Sequence, residues 1–163
     1  MQLELQAMPA GKSNAHMVSR LRIPSDEEAP GGNQSGTPAD LVYLDDAVQR
    51  SRDLLDLKDD WDGDGAISIK EPTWRRMYAF LLRNATDFWE VTGAAIPAPK
   101  VGPAQEGSID LLWKIGDRML LLNIPEDSAQ PASFYGEKGA LDSIKGNLDT
   151  ASQSHWLLMW LTK

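Results

Sequence analysis

The chain predicts an α+β fold: two helices joined by a tight turn, an antiparallel β-meander of about four strands, and a C-terminal helix. Three observations carry that expectation. Apolar residues recur at three- and four-residue spacing over residues 39–58 and again over 71–92. The pattern then changes to a period of two or becomes continuously apolar, with Gly116-Asp117 placed where a two-residue hairpin loop would fall. Finally, residues 155–161 form a dense apolar run, too short to span a bilayer.

In the first helical segment Leu44, Ala47, Val48, Ser51, Leu54 and Leu55 fall on one face, with Asp45, Asp46, Arg50 and Arg52 opposite. It should fade near Lys58, because Asp59 and Asp60 are poor interior helix residues and glycines follow. The second helix should start at Glu71 or Pro72, since proline suits the first turn, and stop at Thr92-Gly93. Its broad stripe of Trp74, Met77, Tyr78, Leu81, Leu82, Ala85 and Phe88 is better explained as core than as a ligand groove.

Pro97, Pro99 and Pro103 mark an irregular or edge segment around Lys100 and Val101. Residues 108–115 then alternate Ile109, Leu111, Trp113 and Ile115 with Asp110, Leu112 and Lys114, and residues 118–124 should pair back on them. A loop over 125–131, a third strand over 132–136 and a weaker fourth over 141–148 complete the meander. The terminal run, with Trp156 and Trp160 four residues apart, should cap the sheet as a helix.

Residues 1–38 are rich in Gly, Pro, Ser and acidic side chains and lack a sustained apolar period, so a disordered arm is expected, followed by a single domain over 39–163. A rival reading makes His16, Met17, Val18, Leu21 and Ile23 a short docking element. At 163 residues and 42% hydrophobic the chain can fill one core. Its net charge of -8 opposes a sequence-independent grip on nucleic acid and suits a cation site or a partner with a basic face. Without cysteine there are no disulfides or thiolate metal sites. No basic leader with an apolar run is present, so a cytoplasmic protein with no membrane association is expected.

The most chemically specific stretch is 60–71, which fits D-x-D-x-D-G-x₅-E, the spacing by which a twelve-residue loop wraps calcium. In that reading Asp60, Asp62 and Asp64 point inward, Gly65 makes the sharp turn, Ala66 offers its carbonyl and Glu71 closes the shell. Pro72 sits awkwardly after a glutamate that should already lie inside the exiting helix, and no second loop accompanies the first. The competing reading is a structural turn. Trp61 packs into the core, Asp62 caps the turn, Gly63 and Gly65 supply left-handed backbone, and Ala66 follows them.

Leu54-Leu55, the Trp61-Asp62-Gly63-Asp64-Gly65-Ala66 motif, a helix, a Pro-rich segment, residues 107–113 (Gly-Ser-Ile-Asp-Leu-Leu-Trp) and Phe134-Tyr135-Gly136 occur in that order. This series resembles a family of small uncharacterised bacterial proteins whose hallmark is Trp-Asp-Gly-x-Gly-Ala, over about residues 40–163. In that family the position of Asp64 varies and often is not acidic, and the resemblance implies the structural turn and no established activity. His16 and His155 are the only histidines and form no pair, and acid–base work by Asp59 and Asp62 would need a cleft that nothing here signals. The expected function is a non-enzymatic protein-interaction module, an immunity- or antitoxin-like partner protein, with calcium binding through residues 60–71 as the alternative.

Overall fold

The computed structural model describes residues 39–163; the expectations for residues 1–38 lie outside them. The first helical segment is not one helix. A 3-10 turn (Ala39–Leu41) leads into α1 (Val42–Gln49), which tightens into a second 3-10 stretch (Arg50–Asp56). Where the winding changes, the Ser51 hydroxyl donates to the Val48 carbonyl at 2.6 Å and accepts the Trp74 indole N–H at 2.9 Å. Such back-bonding to a carbonyl one turn earlier bends helices. Leu41, Leu44 and Val48 are buried, whereas the second 3-10 stretch has no fully buried residue.

Helix α2 (Glu71–Thr92) has the expected limits. Lys70 is extended, Glu71 places a carboxylate at the positive end of the helix dipole, and Pro72 occupies the first turn, where its missing N–H costs nothing. Gly93 ends the helix at φ 68°, donating its N–H to Trp89 at 2.7 Å. Trp74, Met77, Phe80, Leu81, Ala85 and Phe88 are buried, so the aromatic stripe is core. Trp74 stacks on Tyr78 with centroids 5.2 Å apart, and the Tyr78 hydroxyl donates to Asp45 at 2.6 Å, which fastens α1 to α2.

The sheet is an antiparallel meander of five strands in the order β1 (Lys100–Pro103), β2 (Ile109–Ile115), β3 (Arg118–Ile124), β4 (Ala132–Lys138) and β5 (Asp142–Leu148). The strand beyond the expected four is the proline-flanked segment. Lying at the sheet edge, it can contain Pro103 without breaking an inner ladder. Gly116 takes φ 58° in the β2–β3 hairpin.

Helix α3 (Trp156–Thr162) covers the sheet as expected, with Leu157, Leu158 and Leu161 buried. The Asn84 side chain fastens its start to α2, donating to the Phe80 carbonyl at 2.9 Å and accepting the Ser154 N–H at 2.6 Å. Helices α2 and α3 pack on one face of the sheet, where Ile109, Leu111, Trp113, Leu120, Leu122, Ile124, Ala132 and Phe134 are buried, and α1 joins the same core through Leu44 and Val48. The fit is closest at Gly136, where an added Cβ would lie 2.7 Å from the Trp160 ring and 3.0 Å from Ile144. Among the described residues no helix is long and apolar enough to cross a membrane.

Gly136→Ala should therefore cost about 1–3 kcal/mol in urea denaturation, as overpacking of a rigid ring does. Gly102→Ala, which meets nothing within 4 Å, should change stability by about 0.5 kcal/mol or less. Equal midpoints for the two variants would contradict the close approach of α3 to the sheet.

Candidate functional site: an acidic loop and the groove beside it

Residues 57–70 connect the second 3-10 stretch to α2, and the acidic motif lies within them. Asp60 adopts a left-handed φ of 63°, unusual for a residue with a side chain, and Gly63 and Gly65 follow at 79° and 87°. The loop closes on itself. The Asp60 N–H donates to the Ala66 carbonyl at 2.6 Å, and Gly63 donates to the Asp60 carbonyl at 3.1 Å. Asp60 Oδ1 accepts the Gly65 N–H at 2.8 Å, while Asp62 Oδ1 accepts those of Asp64 at 2.9 Å and Ala66 at 3.1 Å. Asp59, which the motif does not include, accepts the Ser68 N–H at 2.9 Å.

The ligand set of the calcium reading is thus divided. One oxygen of Asp60 and one of Asp62 serve the loop's own amides, and the Ala66 carbonyl is taken by the Asp60 N–H. Glu71 is engaged elsewhere: Arg75 Nε reaches its Oε1 at 2.9 Å, and Arg52 Nη2 reaches both oxygens at 3.2 and 3.3 Å. Among the described residues no three His, Cys, Asp or Glu side chains group so as to hold a metal ion. Asp64 is exposed and contributes its N–H to the turn. Pro72 does not obstruct Glu71, because that glutamate is the first helical residue. Trp61 does not enter the core; it lies half-buried, donating its indole N–H to the Ile67 carbonyl at 3.3 Å.

The electrostatics follow the hydrogen bonds. The N–H of Asp64, then that of Ala66, hold the Asp62 carboxyl below its ordinary value of 3.8. Ser68 does the same for Asp59, and the hydrogen bond from Arg75 followed by the charge of Arg52 lowers Glu71. These partners were only partly visible in the sequence. The Glu71–Arg75 pair has the i,i+4 spacing of a helix, whereas Arg52 reaches Glu71 only because the 3-10 stretch folds back beside α2.

Beside the loop lies an open groove of about 350 Å³, lined by Ile67, Glu106, Ser108, Asn123, Glu126 and Asp127. A smaller recess of about 140 Å³ continues it past Asp64. Ile67 is 44% exposed, an apolar side chain among carboxylates. The opposite wall is held in a costly conformation, since Glu106 has φ 58°. The next residue, Gly107, has φ 68°, and a Cβ there would lie 3.2 Å from the Ser68 carbonyl, so only glycine lets this turn approach the loop. Lys70 bridges to Glu126 at 2.5 Å, and Asn123 donates to Ser108 at 3.0 Å and Asp110 at 2.8 Å. By contrast, the space between α2, α3 and the sheet is about 10 Å³, room for no more than a water.

Asp62→Asn keeps an oxygen to accept both N–H groups but removes the charge. A carboxyl with a depressed folded pKa stabilises fully above its unfolded value and loses that contribution as pH falls through the folded one. The melting-temperature gap between the native chain and Asp62→Asn should therefore be widest near neutral pH and shrink below about 3.8. A gap independent of pH would contradict the hydrogen-bonded role of Asp62.

What the groove does has to be inferred from its own atoms: comparison with models of known protein families, with curated proteins and with solved structures finds no match in any of the three.

Proposed function

We propose that this chain is a non-enzymatic protein-interaction module, an immunity- or antitoxin-like partner of a separately encoded protein, and that it binds a basic face of that partner. It belongs, on this proposal, with the small bacterial proteins that share its Trp-Asp-Gly-x-Gly-Ala motif, and it acts in the cytoplasm.

The single observation behind the proposal is the groove in which exposed Ile67 stands among Asp64, Glu106, Glu126 and Asp127. An apolar anchor beside the carboxylates of Asp64, Glu106 and Asp127, with Glu126 already paired to Lys70, supplies the two components of a specific interface. Burial of Ile67 gives affinity, and the carboxylates steer a basic surface and select against an acidic one. The net charge of -8 adds long-range attraction for such a partner and repels nucleic acid. The strained turn at Glu106 and the self-closed loop supply rigid walls, which lowers the ordering cost of binding.

The full chain, immobilised and exposed to host extract, should retain a basic protein that still binds after purification. Ile67→Asp or Glu106→Lys should weaken that binding about tenfold or more, and added salt should weaken it further. A chain that stays monomeric and retains nothing, or a retained protein indifferent to both variants, would overturn the proposal.

A further inference from the structure

The face of the sheet that no described helix covers carries a second pattern, independent of the groove. Strand register places Lys100, Leu112, Leu121, Tyr135 and Lys145 in one row across all five strands. The adjacent row contains Lys114, Met119, Glu137 and Ser143. Leu112, Leu121 and Met119 are partly exposed and Tyr135 is 38% exposed, with its hydroxyl oriented by Glu137 at 2.5 Å. Among the described residues Lys100, Lys114 and Lys145 take part in no ion pair, in a chain with a clear acidic excess.

We propose that this face binds an acidic amphipathic helix of a protein partner. Neighbouring strands lie about 4.8 Å apart, so the apolar part of the row from Leu112 to Tyr135 spans about 10 Å. Two turns of helix, i to i+7, present apolar side chains over about the same length. The ammonium groups of Lys100 and Lys145 stand one strand beyond each end, where carboxylates flanking the helix's apolar stretch would meet them. A second copy of the chain fits this face less well, because stacking two such sheets brings like-charged lysine borders together. Nucleic acid fits less well too, because Asp110 and Glu137 share the surface.

The immobilised full chain, panned with displayed helices of about fifteen residues, tests the proposal. Selected sequences should carry Asp or Glu at both ends and Leu, Ile or Phe in the middle. Lys100→Glu combined with Lys145→Glu should weaken their binding tenfold or more, as should Tyr135→Ser, whereas Ile67→Asp should leave it unchanged. That last arm separates this surface from the acidic groove, so either can fail without the other. Four results would overturn the proposal: no enrichment, enrichment of basic helices, polyglutamate binding as tightly as the selected helices, or a dimer in sedimentation that Tyr135→Ser dissociates.

Discussion

Among the described residues, helices lie on a single face of the five-stranded sheet, and that one-sided packing shapes everything else in the molecule. Helices α2 and α3 supply the cover, so the fully buried side chains of β2 and β3 all point to that face, with Leu112, Met119 and Leu121 left on the other. A slip of one residue in the β2–β3 register would turn Ile109, Leu111 and Trp113 toward solvent. Helix α3 is short, and it compensates by close approach, with Trp160 lying on Gly136. The Arg118 guanidinium holds that end, donating to the Trp160 carbonyl and lying 5.3 Å over its ring.

Where a single physical rule decides local structure, the sequence was a sufficient guide. Pro72 and Gly93 mark the ends of α2 because one fits a first helical turn and the other a left-handed cap. The β2–β3 hairpin was legible from the apolar residues at every second position of 109–115 together with Gly116-Asp117. The first helical segment misled because its period suits α and 3-10 winding alike, and a hydrogen bond between Ser51 and distant Trp74 lies at the change. For β1 the sequence left an irregular and an edge segment both open, because Pro103 is tolerated in a strand only at an edge.

The acidic loop shows why a spacing pattern underdetermines chemistry. Carboxylates two residues apart can converge on a cation or accept nearby N–H groups, and the glycines serve both outcomes by allowing positive φ. Here Asp60 and Asp62 accept amides, and Arg52, a residue outside the motif, holds Glu71 at the start of α2. Ala66 and Ile69 are the loop's buried residues, and Ile67 between them is exposed. That exposure creates the apolar point in the acidic groove.

The loop over residues 60–71 holds its shape through its own hydrogen bonds and the Arg52–Glu71–Arg75 cluster. The most direct measurement follows the amide resonances of Asp64, Gly65, Ala66 and Glu71, first in chelator and then in millimolar calcium. A loop closed in this way should give dispersed signals in chelator that calcium leaves in place. Saturable shifts of those amides, abolished by Glu71→Ala, would contradict it and return the loop to the calcium reading.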